Sequence, residues 1–161
     1  MQKYIVAALV AFASLQTMAA GVCSKKAAEE MVEKVCKTVV EKGEDVKAEW
    51  PKGLLYENCG DNYAWVQDTS GDIKMVMHPR IPKKNGNVLK DEVDAKGFRL
   101  FYEFDKQTKA SKTGSAWVSY DWPDTLREGK VFPKTSFVKI CKMKNGNSWV
   151  VGSGIWQADA K

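Results

Sequence analysis

The sequence predicts an α+β domain in which a five-stranded antiparallel sheet packs on one long helix. Residues 24–42 repeat apolar side chains every three or four positions, which is the period of a helix. Five later runs, between residues 62 and 156, are rich in β-branched and aromatic residues and follow a period of two. The 161 residues are enough for one domain with its own hydrophobic core.

The first residues have the pattern of a secretory signal peptide. Lys3 precedes an apolar run that is too short for a comfortable membrane span, and the small residues Ala19 and Ala20 follow. We therefore expect residues 1–20 to be a signal peptide, with cleavage after Ala19 or Ala20. The expected location is the periplasm.

Residues 21–161 are expected to form the single mature domain, since no second hydrophobic span follows. A lipoprotein anchored at Cys23 is the alternative. That processing requires a small residue directly before the cysteine, and Val22 is not small. A protein without a direct membrane span is therefore the expectation.

The long helix is predicted from Ser24 to Lys42. Ser24 can cap its first turn, and Gly43 can end it. The apolar stripe that predicts its buried face consists of Ala28, Met31, Val32, Val35, Cys36, Val39 and Val40.

After this helix, residues 44–58 have no clear period and contain Pro51 and Gly53. A hairpin, a long polar loop, a short helix and three more strands are predicted to follow. Long loops inside compact domains often cover functional sites. The predicted ranges are strands 62–68 and 73–79, loop 80–97, helix 98–110, and strands 115–123, 135–143 and 148–156.

The composition argues against several classes of function. The chain has 25 basic and 20 acidic side chains, but no basic stripe with exposed aromatic residues, so we expect no nucleic-acid partner. His78 is the only histidine, and no phosphate-binding loop or zinc-protease motif is present. We therefore expect neither an enzyme nor a cofactor or metal site.

The four cysteines are candidates for disulfide bonds, because an exported protein folds in an oxidising compartment. None of them forms a CxxC pattern. A continuous helix from Ser24 separates Cys23 from Cys36 by about 20 Å along its axis. That distance is too long for a disulfide between these two cysteines.

Several short motifs appear in an order that resembles the single Cache domain, a PAS-like extracytoplasmic sensor module. They are "YAWVQDTSGDIKMVMHP", "GNVLKDEVDAKGFRLF", "WVSYDWP", "PKTSFVK" and "WVVGSGIW". The resemblance extends from about Cys59 to Trp156 and includes the long helix before it.

The resemblance implies a fold and a function. Cache domains usually bind small molecules, often organic acids or amino acids, between the sheet and its covering helix and loops. They belong to chemoreceptors, sensor kinases and cyclases, so a membrane-bound receptor or sensor kinase is the expected partner. This chain departs from that arrangement, since no signalling domain accompanies the motifs.

The expected ligand-binding residues are Tyr120, Trp122, Lys134, His78 and Arg80. Tyr120 and Trp122 share one face of a strand, and their polar tips can orient a small polar ligand in an apolar cleft. Lys134 is the expected clamp for a carboxylate, because an anion that loses its hydration needs a cation or several donors. Arg80 is the alternative clamp, and His78 is a weaker contact.

Other large residues are expected in the core rather than in the pocket, and these are Trp65, Phe137 and Trp149. Gly152 and Gly154 remove side chains from the last strand. They can leave room for a ligand or permit a bend.

The PAS-like topology implied by the resemblance also gathers Cys36, Cys59 and Cys141 at one end of the sheet and leaves Cys23 remote. We therefore expect a disulfide that includes Cys59. Cys141 is its favoured partner, and Cys36 is the second choice.

Two functions remain open. The first is a periplasmic sensor domain that recognises a small organic acid or amino acid and presents it to a membrane signalling or chemotaxis partner. The second is a protein-interaction module that docks on a membrane receptor and keeps only a vestigial pocket. Binding of small acids, measured as a rise in melting temperature, distinguishes the two.

Overall fold

The fold is seen in a computed structural model, which describes residues 23–56 and 62–157. The predicted signal peptide, residues 1–20, and Cys59 lie outside the described residues. Within the described ranges, the helices are too short or too polar to cross a membrane.

The first helix, α1, spans Lys25–Lys42 and confirms the predicted helix. Its N-terminus is capped by Ser24, whose Oγ accepts a hydrogen bond from the backbone N–H of Ala27 at 3.1 Å. Gly43 ends the helix with a positive φ of 58°. The buried side chains follow the predicted stripe and are Ala28, Met31, Val32, Val35, Cys36 and Val39.

The five strands form one antiparallel sheet with the order β2-β1-β5-β4-β3. The α+β class and the five-stranded sheet are therefore confirmed. The bounds are Ala64–Asp68 for β1, Met75–Met77 for β2, Ser115–Pro123 for β3, Val131–Lys142 for β4 and Ser148–Trp156 for β5.

Strand β4 begins four residues before its predicted start at Thr135, because the extended β3 pairs with it from Val131 onward. Pro133 lies in this added segment. A proline is tolerated in a strand where a ladder hydrogen bond is not required. Trp156, the last residue of β5, pairs with Lys134, so Pro133 lies beyond the end of β5 and has only β3 beside it.

Residues 43–52 differ from the prediction, since they form a 3-10 helix, Gly43–Lys52, where no regular structure was expected. Val46 and Trp50, four residues apart in this segment, are both buried. The ring of Trp50 packs against Trp149, with centroids 6.4 Å apart. Burial of these two side chains favours a helical turn in a segment whose sequence lacks a clear period.

The long connection after β2 is attached to the outer edge of that strand. Gly86 N–H donates to the carbonyl of Met75, and the Met75 N–H donates to the carbonyl of Asn87. The connection includes a short 3-10 helix, Pro82–Lys84. It ends at the second helix, α2, which spans Leu100–Ala110 and confirms the predicted short helix.

The sheet separates two hydrophobic cores. We call the side covered by α1 the α1 face, and its buried sheet residues include Ala64, Val66 and Val151. The other side, covered by α2, is the α2 face. Its buried sheet residues are Tyr63, Trp65, Met75, Val118, Tyr120, Trp122, Val138, Val150 and Trp156.

A disulfide joins Cys36 of α1 to Cys141 of β4, with Cα atoms 5.5 Å apart. The favoured pairing of Cys59 with Cys141 is therefore wrong, and so is the second choice of Cys59 with Cys36. The physical reason is the packing of α1. Cys36 lies on the buried stripe of the helix, directly over the α1 face of β4 where Cys141 is also buried.

Candidate ligand-binding site

A small cavity lies between the α2 face of the sheet and α2. About 10 Å³ of it is open to a water-sized sphere, which is room for about one water molecule. Its walls are Tyr63, Trp65, Tyr120 and Trp122 from the sheet, His78 from the end of β2, and Leu100, Phe101 and Phe104 from α2. This position, between the sheet and its covering helix, is the one that the resemblance implies.

Tyr120 and Trp122 are both walls of the cavity, on the side of the strand that alternation predicts. Their rings meet edge to face, with centroids 6.0 Å apart. The hydroxyl of Tyr120 lies 2.8 Å from Oγ of Ser136. Burial raises the pKa of Tyr120 well above its usual value, so its hydroxyl keeps its proton and can donate.

Trp117 occupies the opposite side of the same strand. Its ring packs against Phe137, with centroids 5.5 Å apart, and its indole N–H donates to the Glu29 carboxylate at 3.0 Å. The third aromatic of this segment is therefore part of the contact with α1. It has the polar partner that a tryptophan N–H usually requires.

His78 is buried, with 2% of its surface exposed. Its Nδ1 accepts a hydrogen bond from the Ile81 N–H at 3.0 Å. Burial, together with the positive charges of Lys134 and Lys84, lowers the pKa of His78 to about 3. The ring is therefore neutral at ordinary pH, and because Nδ1 is an acceptor, Nε2 carries the proton and is a donor.

Lys134 is buried as well, with 1% of its surface exposed. Its Nζ lies 3.2 Å from the hydroxyl of Tyr63. It also lies 4.3 Å from the ring centroid of Tyr63 and 4.6 Å from that of Trp156. Lys134 is thus a cation held beside aromatic faces, next to a wall of the cavity.

Arg80 is placed differently from the other predicted site residues. Its guanidinium lies 5.7 Å from the ring centroid of Tyr56, which is 44% exposed. The residues that line the cavity do not include Arg80. The structure therefore brings His78, Tyr120 and Trp122 together as walls of the cavity. Lys134 contacts a fourth wall, Tyr63, whereas Arg80 lies outside the lining of the cavity.

The sequence-based prediction includes only three of the eight walls, His78, Tyr120 and Trp122. It misses the three walls from α2 and also Tyr63 and Trp65, of which Trp65 is predicted to lie in the core. Trp65 lies on the α2 face of β1 and Tyr63 lies directly before this strand, and a two-residue period puts both on the same side as Gln67. That period is visible in the sequence, but the side on which the covering helix lies is not. Trp149 and Phe137 pack in the core on the α1 face, as expected.

The two glycines of β5 make room for neighbouring side chains, one of which is a wall of the cavity, rather than for open space. A Cβ added to Gly152 would lie 2.3 Å from the indole of Trp65, so this indole lies directly on the strand. A Cβ added to Gly154 would lie 2.0 Å from Oγ of Ser136, the partner of Tyr120. Each glycine therefore leaves space for a side chain that a larger residue would displace.

The loop before α2 is attached to β3 by the carboxylate of Asp94. Its oxygens accept hydrogen bonds from the N–H groups of Lys96, Phe98 and Asp121 at 2.8, 2.9 and 3.0 Å. Partial burial raises the pKa of Asp94, but these three donors outweigh it and hold the pKa below its usual value. The ammonium of Lys96 also lies 2.9 Å from the Asp121 carboxylate. These contacts position the start of α2 over the cavity.

A larger depression, of about 670 Å³, lies on the surface beside the disulfide. It is bordered by the second half of α1, the end of α2 and the end of β4, and it is open to solvent. It lacks aromatic walls, and three of its lysines already pair with carboxylates, which are Lys139 with Glu33, Lys109 with Asp105 and Lys37 with Glu41. The small aromatic cavity is therefore the better candidate for a ligand.

Known proteins resemble this chain in sequence and in fold. The family model described as Cache domain matches residues 49–161. The methyl-accepting chemotaxis protein McpP of Pseudomonas putida is 31% identical over 110 residues, which are 68% of this chain and 18% of McpP. The chain thus spans less than a fifth of the length of this relative.

Solved structures share the fold. The periplasmic sensor domain of a chemotaxis protein is 32% identical, with a TM-score of 0.62, and the match covers 82% of this chain and 89% of that domain. A Cache chemosensory domain studied for carboxylic acid recognition is 24% identical, with a TM-score of 0.64 over 83% of this chain and 92% of that one. This second likeness concerns the fold alone. The fold, the family match and the chemotaxis sensor together show that the chain belongs to the Cache domain family.

Proposed function

We propose that this domain is a periplasmic sensor that binds a small organic carboxylate between the sheet and α2. In this proposal the bound state is presented to a membrane-bound chemotaxis receptor or sensor kinase. The observation that carries the proposal is a buried cation, Lys134, next to an aromatic cavity that also contains neutral hydrogen-bond donors.

The electrostatics of the cavity favour an anion. A carboxylate that leaves water loses its hydration, and a nearby cation with several donors can offset this loss. Lys134 supplies the positive charge. The neutral His78 supplies an Nε2–H donor, and the Tyr120 hydroxyl, which keeps its proton, supplies another.

The small volume favours a ligand with few heavy atoms. The open space of about 10 Å³ is smaller than any organic acid, so binding requires α2 or the aromatic walls to move outward. Side-chain contacts of Asp94 and Lys96 with Asp121 attach the loop before α2, and with it the start of this helix, to β3. We expect binding to loosen these contacts.

The relatives support the same chemical class. One solved Cache domain is described for its recognition of carboxylic acids, and another relative is a methyl-accepting chemotaxis protein. The predicted signal peptide, residues 1–20, places the domain in the periplasm in this proposal. Intact mass of the protein recovered from a periplasmic fraction tests this, and a product that retains Met1 contradicts it.

The test of the binding site compares Lys134→Met with the wild type. Short organic acids and amino acids are first screened at millimolar concentration for a rise in melting temperature. Calorimetry on the best acid should then show about ten- to a hundredfold weaker binding for Lys134→Met, because a charge-assisted hydrogen bond contributes roughly 1.5–3 kcal/mol. Lys142→Met, at the exposed end of the same strand, is the matched control and should bind as the wild type does.

Two outcomes contradict this assignment. If Lys134→Met binds the acid as tightly as the wild type while Arg80→Ala does not, Arg80 is the clamp. If neither change matters and Tyr120→Phe is also without effect, the cavity is not the binding site.

A second function has one observation in its favour, which is the same small volume. A domain that docks on a membrane receptor and keeps only a vestigial pocket needs no larger cavity than this one. The absence of a melting-temperature shift with every acid tested favours this second function over the first.

A further inference from the structure

The depression beside the disulfide is bordered by lysines that come from three separate parts of the chain. They are Lys37 of α1, Lys109 and Lys112 at and just after the end of α2, and Lys139 and Lys142 of β4. Because β3 begins opposite Lys139, the last residues of β4 lie at the edge of the sheet, and both helices reach the depression there. The depression therefore belongs to neither face of the sheet.

This surface holds much of the positive charge of the protein. Its lining contains the five lysines and two carboxylates, Glu33 and Glu41, which is an excess of three positive charges. The whole chain has 25 basic and 20 acidic side chains, an excess of five. The positive potential is therefore concentrated at one concave surface, where it attracts an anionic partner.

Three of the lysines, one from each border of the depression, are available to an external anion. Lys112 and Lys142 are exposed, and among the residues that the structure describes neither forms an ion pair. Lys37 faces Glu41 at 4.0 Å, with the two side chains 77% and 59% exposed. An ion pair so exposed is weak, and its lysine can exchange one carboxylate for another.

The floor of the depression is apolar and is held in place before any partner binds. The disulfide between Cys36 and Cys141 lies in it. Ile140 donates its N–H to the carbonyl of Gly114 at 2.8 Å, and a Cβ added to Gly114 would lie 2.9 Å from the Ile140 side chain. Val40, which is 37% exposed, lies at the border on α1. A preformed surface loses little conformational entropy on binding.

The shape and the chemistry favour an acidic polypeptide over other anions. The depression of about 670 Å³ is in the size range of pockets that enclose a ligand, whereas the headgroups of a flat membrane contact protruding surfaces. Both helices border the depression with their second halves, so neither helix N-terminus, the usual site for a phosphate group, faces it. An apolar floor among ammonium groups fits a segment that carries both carboxylates and aliphatic carbons.

We propose that this depression is the docking site for an acidic segment of a partner protein. The carboxylates of the segment pair with Lys37, Lys112 and Lys142, and its aliphatic carbons contact Val40 and Ile140. Within the described part of the chain, the depression and the aromatic cavity have no lining residue in common. A small acid in the cavity and an acidic segment in the depression can therefore bind without competing.

The test uses a fluorescently labelled peptide in which glutamate alternates with alanine, and a counterpart in which glutamine replaces glutamate. Fluorescence anisotropy with the full chain should show about tenfold tighter binding of the glutamate peptide, because only this peptide is complementary in charge. Lys112→Gln combined with Lys142→Gln should weaken the binding of the glutamate peptide by about three- to tenfold, because two exposed ion pairs are lost.

The matched control is Lys83→Gln combined with Lys90→Gln, in the connection after β2. Both lysines are exposed, and neither has an ion pair within the described ranges. The control therefore removes the same charge and leaves the depression intact, and it should bind the glutamate peptide as the wild type does. Both double variants should keep the melting temperature of the wild type, because all four side chains are exposed.

The outcomes that overturn the docking site are distinct. An equal loss in the two double variants overturns it, because the peptide is then attracted by net charge alone. Equal affinities for the glutamate and glutamine peptides, or no binding of the glutamate peptide, also overturn it. Vesicles of phosphatidylserine and phosphatidylcholine test the other occupant. If the vesicles bind through Lys112 and Lys142 and the glutamate peptide does not bind, the surface contacts a membrane and the proposed partner is wrong.

Discussion

The two faces of the sheet differ in the chemistry that they bury. The α1 face packs aliphatic side chains such as Val32, Val35 and Val151 together with a smaller number of aromatic rings, and it carries the disulfide. The α2 face buries aromatic rings around a cavity, together with the cation Lys134 and the neutral His78.

We infer from this difference that the two faces of the sheet have separate functions. Aliphatic packing and a covalent link stabilise the fold and do not depend on pH or on a ligand. Buried ionisable groups cost stability, and they are commonly found where a protein binds or reacts. We infer that the α1 face supports the fold while the α2 face is kept for binding.

The largest expected effect comes from removing the disulfide, which tests whether the α1 face acts on stability alone. The bond closes a loop with a sequence separation of 105 residues. Cys36→Ala with Cys141→Ala should lower the free energy of unfolding by about 4 kcal/mol, because the unfolded chain regains the entropy of that loop. Chemical denaturation measures this loss.

The same double variant should bind its acid as the wild type does, when measured at a temperature where it is folded. A fall in affinity of tenfold or more contradicts the separation of the two faces, because it means that the attachment of α1 also shapes the cavity.

The next effect comes from Gly152→Ala, which sharpens the comparison by disturbing only the α2 face. The added methyl group would lie 2.3 Å from the indole of Trp65, and the ring must move. We expect a loss of about 1–3 kcal/mol of stability, as for other overpacked cores. Gly71→Ala, where an added Cβ meets nothing within 4 Å, is the control and should change stability little.

A rescue experiment tests the cause of that loss. Trp65→Leu combined with Gly152→Ala should be less destabilised than the sum of the two single changes, because the clash is absent when the indole is absent. Additive losses contradict the proposed contact.

The smallest expected effect is a pH dependence that arises from His78. Its pKa is about 3 in the folded state and 6.5 in the unfolded state, so the unfolded chain binds the proton more tightly. Stability is therefore complete above about pH 6.5 and falls as the pH decreases toward 3. Between pH 6.5 and pH 5 the loss is about 2 kcal/mol, at about 1.4 kcal/mol per unit.

His78→Asn isolates this contribution, because the Asn oxygen can replace Nδ1 as the acceptor for Ile81 and has no proton to gain. His78 is the only histidine, so the remaining pH dependence comes from carboxylates that both proteins share. Denaturation curves at pH 7 and pH 5 should show a smaller loss for the variant. An equal loss in both proteins means that His78 is not buried in a neutral state.

The elements of this fold are largely predictable from the sequence, because periodicity reports which side of an element is buried. The stripe on α1 and the alternation in β3 and β5 gave bounds that agree with the structure to within one residue. The 3-10 helix Gly43–Lys52 was not predicted, because only Val46 and Trp50 mark its buried side.

The site was predictable only in part, because its walls come from separate segments of the chain. Alternation brings Tyr120 and Trp122 to one face, but it does not tell which face α2 covers. The sequence alone therefore predicts a core position for Trp65. The disulfide prediction failed for the same reason, since the pairing of Cys36 with Cys141 depends on how α1 lies across the sheet.

The contact between Trp65 and Gly152 restricts the order in which this cavity can change over evolution. A larger residue at position 152 collides with the indole, whereas a smaller residue at position 65 leaves a space that costs stability without a collision. A lineage that adapts to a different ligand therefore has to shorten the side chain at 65 before it enlarges the one at 152. The two positions should vary together among related sensors, with the loss of the tryptophan as the earlier event.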